Sequence, residues 1–133
     1  MTIALFVITV VVMALDLITK FTIPGIINPG ISWGLGQQWP WLWVVVVILT
    51  LVVVGLALVW WFHTKHRKTW LLTVGLGLFL GGALGNLIDR LISGGAVHDW
   101  WNWFGWFHNN LADVALIVGA GLLFVWWGRH ALR

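Results

Sequence analysis

Four long apolar runs, at about residues 3–23, 41–62, 70–92 and 108–128, take up most of this 133-residue chain and constrain its fold more than any other feature. Each is close to the ~20 residues a helix needs to cross the hydrocarbon core of a bilayer. At 61% hydrophobic and 8% charged, the chain lies outside the range of water-soluble domains. The expected fold class is therefore an all-α membrane protein with four transmembrane helices. Those crossings leave little chain over, so residues 1–133 are expected to form a single membrane domain. The first run is read as a helix and not as a cleaved signal peptide. It has no basic n-region and no small-x-small site after it, and it continues into Thr22-Ile23-Pro24-Gly25.

Lys65, Arg67 and Lys68, with His63 and His66, occupy the connection between the second and third runs, and Arg129 and Arg133 follow the fourth. By the positive-inside rule both segments face the cytoplasm, which gives an N-in/C-in topology. The sequence pI of about 10.3 thus reflects topology, and no nucleic-acid partner is expected. Trp60, Trp61, Trp70, Trp126 and Trp127 then fall at the inner boundary, and Trp33, Trp39, Trp41, Trp43, Trp100, Trp101, Trp103 and Trp106 at the outer one. Both are levels where an indole prefers to sit.

Pro24, Pro29 and Pro40 all lie in the connection 24–40, which reads as broken and turn-rich. Gly77, Gly81 and Gly85 recur every four residues in the third run, a small-residue stripe that lets helix backbones approach closely. Packing within a monomer is the expected use of that stripe.

The chain has no Glu and only four Asp: Asp16, Asp89, Asp99 and Asp113. A carboxylate near hydrocarbon is costly unless it is paired, hydrated or neutralised, so each acid is a candidate functional residue. The topology brings all four to the outer membrane–water boundary, where water and a membrane-anchored substrate both have access. Asp16 and Lys20 share a helix face at i,i+4 and can neutralise one another. Asn86, Asp89 and Arg90 share a face of the third helix, and Asp89 beside Arg90 reads as a structural pair. Asn110 and Asp113 open the fourth.

Asp99 and Asp113 have no basic residue of fixed charge at helical spacing. Two carboxylates that approach one another tend to share a proton, so one can act as a general base on water while the other, protonated, acts as an acid. A metal site built from His98, Asp99, His108 and Asp113 is the competing reading. However, there is no HExxH, and the four are not at i,i+4 on one helix. Ser32 and Ser93 lack a G-x-S-x-G context, and the absence of Cys excludes disulfides and thiolate sites.

Gly81-Gly82-Ala83-Leu84-Gly85-Asn86-Leu87-Ile88-Asp89-Arg90 closely resembles the GGALGNLIDR signature of the lipoprotein signal peptidase (signal peptidase II) family. Gly95-Ala96-Val97-His98-Asp99-Trp100 resembles its G-x-V-V-D-F element. Asn110-Leu111-Ala112-Asp113 resembles F-N-x-A-D, with Asn109 where Phe is usual. Upstream, Asp16-Leu17-Ile18-Thr19-Lys20 is similar to D-x-x-[ST]-K, and Asn28-Pro29-Gly30-Ile31-Ser32-Trp33 to N-x-G-x-[AS]-[FW].

The resemblance implies an aspartic membrane endopeptidase without metal or cofactor. Such an enzyme cuts the signal peptide from a prolipoprotein just before its diacylglyceryl-modified Cys, at the outer leaflet of a bacterial cytoplasmic membrane. It implies a catalytic dyad at Asp99 and Asp113. Asn86, Arg90 and Asn110 would support the dyad and the substrate, and Asp16, Lys20, Asn28 and Gly30 would shape the site. The stretch between Lys20 and Asn28 is shorter than the family's, so its extracytoplasmic β-cradle is expected to be largely missing or rebuilt from residues 24–40. The stretch from Asp99 to Asp113 is short and Trp-rich, with Trp100, Trp101, Trp103 and Trp106 placed to anchor acyl chains. A non-catalytic homologue that binds lipidated membrane proteins is the alternative.

Overall fold

A computed structural model of the chain describes residues 1–30, 36, 38, 39, 41–63 and 69–131. Four helices dominate: α1 (Thr2–Thr22), α2 (Leu42–His63), α3 (Trp70–Ile92) and α4 (Leu111–Ala131). All four are long and apolar enough to span a membrane, and the chain is a multi-pass membrane protein. The basic residues 65–68 and Arg133, on which the topology argument leaned, lie outside the described residues, as do Ile31, Ser32 and Trp33.

The all-α expectation needs one amendment. At the end of the bundle that carries the acids, the connections form short strands: β1 (Ile26–Asn28), β2 (Val97–Asp99), β3 (Trp101–Trp103) and β4 (Phe107–Asn109). β1 pairs antiparallel with β2, with Ile26 opposite Asp99 and Asn28 opposite Val97. β3 and β4 form a hairpin in which Trp101 faces Asn109. Strand pairing satisfies backbone groups that neither helix nor lipid could satisfy at this level. It also moves the start of the fourth helix from about 108 to 111, and takes Asp99 out of irregular loop into a strand.

Helix α3 is the centre of the bundle, with α1 and α4 packed on two neighbouring faces of it and touching each other. Its glycines explain how. A Cβ on Gly77 or Gly81 would fall 2.7 Å from Ile8 or Val12 of α1, and one on Gly85 would run into the Asp16 carboxylate. Gly82 makes the same close approach to α4, where a Cβ would lie 2.5 Å from the Ala112 carbonyl. The stripe seen in the sequence thus serves α1, and a second one, with Gly75 as its other member, serves α4. Thr69 caps α3 by accepting from the Leu72 N–H at 3.2 Å, an N-cap arrangement.

At the far end of the bundle, Leu5, Trp61, Leu72, Leu76, Leu80 and Trp126 form a buried cluster that ties α2 to the other helices. Two of the five tryptophans assigned to the inner boundary, Trp61 and Trp126, are therefore core residues, whereas Trp60, Trp70 and Trp127 are exposed. The reason is volume: indoles fill the space between helices that small residues do not bring together. Beyond this cluster most of α2 is exposed.

Candidate active site

The strand pair and the helix ends bring together residues that are far apart in the chain. Asp99 ends β2, buried to 3% exposure, and both its oxygens accept hydrogen bonds. Asn110 Nδ2 donates to Asp99 Oδ1 at 2.8 Å, and Asn28 Nδ2 donates to Asp99 Oδ2 at 3.0 Å. Gly25, just before β1, lies so close to β2 that a Cβ would come within 2.5 Å of the Asp99 carbonyl. That close approach lets Asn28 reach across.

Asp113 lies in the first turn of α4 and is half-buried. Asn86 Nδ2 donates to its Oδ1 at 2.9 Å, and the Asn110 N–H donates to its Oδ2 at 3.3 Å. In return Asn110 Oδ1 accepts from the Asp113 N–H at 3.0 Å. This reciprocal exchange is a capping box, with Asn and Asp in place of Ser/Thr and Glu. One residue therefore starts the helix and bridges the two acids. The Asn-x-x-Asp spacing was a readable signal for a helix start at 111.

Each of the three amides is oriented by a donor on its oxygen. Gly30 N–H donates to Asn28 Oδ1 at 3.0 Å, and Lys20 Nζ donates to Asn86 Oδ1 at 2.7 Å. Asn110 Oδ1 is held by the Asp113 N–H. With their oxygens engaged, all three present NH2 groups to the carboxylates. An ionised carboxylate only accepts hydrogen bonds, so the arrangement suits at least one negative charge. It leaves each oxygen a further lone pair for water or a shared proton.

A buried charge cluster lies behind this pair. Lys20 Nζ is 2.7 Å from Asp16 Oδ2 and 3.6 Å from Asp89 Oδ2, all three side chains being fully buried. Asp16 Oδ1 accepts from the Ala112 N–H at 2.8 Å, at the positive end of α4. The i,i+4 pair expected from the sequence is present, and it is also the brace between α1 and α4. Asp89 departs from expectation: its carboxylate goes to His98 and Ser93 besides Lys20, and not into a pair with Arg90. It accepts from the His98 N–H at 2.7 Å, lies 2.8 Å from His98 Nδ1, and accepts from Ser93 Oγ at 3.0 Å. Asp89 thereby holds β2 against α3. Nothing local in the sequence signalled the His98 contact, because that partner is nine residues away across a turn.

Asn28, Asn86, Arg90, Asp99 and Asp113 open onto one cavity of about 610 Å³. Its polar end is these residues together with His108 and Asn109; Leu49 and Val53 of α2, Phe79 of α3 and Leu116 and Ile117 of α4 supply much of an apolar remainder. The contribution of α2 was not anticipated, since an evenly apolar helix marks no face in sequence. Arg90 Nη2 lies 3.4 Å from the Gly30 carbonyl. Of the four residues of the competing metal reading, His98 directs its Nδ1 to Asp89. Burial pushes the Asp99 carboxyl above the ordinary carboxylate value of 3.8; the Asn28 and Asn110 amides and Lys20 oppose the rise, and the neighbouring Asp113 adds to it.

Comparison with known proteins agrees with the motifs. The family described as Signal peptidase (SPase) II matches residues 7–128. A lipoprotein signal peptidase of Desulfitobacterium hafniense is 37% identical over 108 residues, which cover 79% of this chain and 67% of that one. One of Beijerinckia indica is 40% identical over 101 residues, covering 72% and 58%. Among solved structures, a bacterial membrane enzyme determined by the in meso method superposes with a TM-score of 0.72 at 26% identity, covering 91% of this chain and 90% of the other.

Proposed function

The chain belongs to the signal peptidase II family, and on that premise we propose that it is an aspartic endopeptidase that removes the signal peptide of prolipoproteins just before a diacylglyceryl-modified Cys. The observation that carries this reading is the bridge through Asn110, which ties Asp99 and Asp113 together at the polar end of a cavity with an apolar remainder. The apolar part accepts the hydrophobic signal segment and lipid chains, and the scissile bond lies at the acids. The site faces the outer leaflet of a bacterial cytoplasmic membrane, both termini are inside, and the monomer suffices.

The chemistry follows from the environments of the two acids. Asp99 is the more buried and burial raises its carboxyl, which suits it to the acid's part and leaves the base's part to Asp113. Asp113 takes a proton from water as the oxygen attacks the scissile carbonyl carbon, while Asp99 gives its proton to the carbonyl oxygen. The resulting gem-diol collapses as Asp113 passes its proton to the leaving amine and Asp99 recovers one from the diol. Both acids end as they began. Arg90 and Asn86 hold the substrate backbone at the cavity wall, Lys20 and Gly30 keep the Asn86 and Asn28 amides turned towards the acids, and Asp16 holds Lys20. The β1–β2 pair and the β3–β4 hairpin stand in for the family's larger cradle.

The test is incubation of the purified protein with a diacylglyceryl-modified prolipoprotein, followed by mass spectrometry for a new N-terminal lipidated Cys. Cleavage by wild type, and by neither Asp99→Asn nor Asp113→Asn, is expected. Binding without cleavage by wild type would instead support a non-catalytic homologue.

A further inference from the structure

The β3–β4 hairpin ends in Phe104-Gly105-Trp106, closed by the Trp106 N–H donating to the Trp103 carbonyl at 2.9 Å and the Gly105 N–H to Asn102 Oδ1 at 2.7 Å. Its two central residues, Phe104 (φ 51°) and Gly105 (φ 81°), are both left-handed, the pattern of a type I′ turn, where Asn, Asp or Gly is the usual first residue. Phe is the outlier there, and an observed backbone outlier is ground for a functional hypothesis. Among the described residues, no side-chain contact calls for a Phe at this position. Phe104 is 93% exposed and Trp106 is 89% exposed.

Stacked rings brace the hairpin behind the tip. Trp100, Trp101, Trp103 and Phe107 form a ladder of nearly parallel rings, with successive centroids 5.8, 5.3 and 5.9 Å apart. Trp103 Nε1 donates to Asn109 Oδ1 at 3.1 Å, beside the Asn110 that bridges the two acids. The hairpin is thus tied to the residue next to the amide that bridges the acids. The hairpin also lies in the connection between α3 and α4, and Leu91 and Ile92 at the end of α3 are likewise exposed apolar side chains. It therefore springs from the level at which two helices able to span a membrane end. Aromatic rings at that level partition into the boundary between headgroups and acyl chains.

We propose that Phe104 and Trp106 insert into the lipid leaflet on the carboxylate side of the membrane, with bilayer phospholipid as their occupant, and that this seat sets the height of Asp99 and Asp113 at the membrane–water boundary. The seat needs no substrate and does not rest on the peptidase reading.

The chain lacks Cys, so Phe104→Cys and Trp106→Cys can each carry an environment-sensitive NBD label in phosphatidylglycerol/phosphatidylcholine nanodiscs, without substrate. Two separate positions keep the test readable if one variant fails to fold. At both, NBD emission should be blue-shifted and quenched several-fold more by lipid spin-labelled near the headgroup than by aqueous iodide. Stronger quenching by iodide would overturn the proposal, and so would protection from both quenchers, which would place the tip against protein. A blue shift that arises only on adding a diacylglyceryl peptide would assign the tip to substrate and overturn it equally. In a Phe104→Gly background, where the turn is relieved, the label at 106 should lose most of its lipid contact. Unchanged contact would remove Phe104 from the seat.

Discussion

Lys20 Nζ lies 2.7 Å from Asn86 Oδ1, a contact between buried side chains 66 residues apart that sets which way the Asn86 amide points. The same ammonium neutralises Asp16 and reaches Asp89. Lys20→Met should therefore act twice. It leaves buried acids without their cation, at a cost of roughly 3–5 kcal/mol, and it frees Asn86 to turn its oxygen towards Asp113. The double variant Asp16→Asn with Lys20→Met should recover much of the thermal stability in detergent but little of the turnover. Full turnover in the double variant would mean that Lys20 serves only to neutralise Asp16.

Asn28 donates to Asp99 and so favours its ionised form. Asn28→Ala removes that donor, and the limb of the kcat/KM profile that reports Asp99 should move to higher pH. The stability consequence has a definite sign. A folded-state value above 3.8 means that the folded protein holds this proton more tightly than the unfolded chain. The contribution of Asp99 to stability is thus fully present below 3.8 and declines as pH rises through the folded value. Asn28→Ala should widen that window upwards. A profile displaced to lower pH would contradict the assignment.

Asn110 has two separable duties, capping α4 and donating to Asp99. Asn110→Ala loses both, with about 1 kcal/mol of stability going with the cap. Asn110→Ser can still cap but does not reproduce the amide donor. Thermal unfolding should place Ser near wild type and Ala below it, while both lose turnover. Equal turnover in Ser and wild type would show that the bridge to Asp99 is dispensable.

The same substitution should have opposite effects at two glycines. Gly82→Ala puts a Cβ 2.5 Å from the Ala112 carbonyl and forces α3 and α4 apart, at a cost of about 1–3 kcal/mol. Gly55→Ala on α2 meets nothing within 4 Å, and should be neutral or stabilising by up to about 1 kcal/mol. Unfolding midpoints of the two variants in one detergent check both signs. A Gly82→Ala protein as stable as wild type would mean that the α3–α4 approach is looser than described.

The sequence by itself determined the four spans and the Asp16–Lys20 pair, because helical length, hydropathy and i,i+4 spacing are local properties that no tertiary contact has to supply. It also showed the Gly77, Gly81 and Gly85 stripe, though not which helix would fill it. Five family-like motifs named the residues around the acids, again through order along the chain. What brings Asn28 to Asp99 across 71 residues is the pairing of β1 with β2, two three-residue strands with no apolar alternation to announce them. The capture of His98 by Asp89 and the donation from the Ala112 N–H to Asp16 were equally invisible, since one depends on where β2 lies against the end of α3 and the other on where the start of α4 meets α1. Local spacing decides which side chains share a face. Only the close packing of α1 and α4 onto the glycine faces of α3 decides which faces meet, and there the acids found their partners.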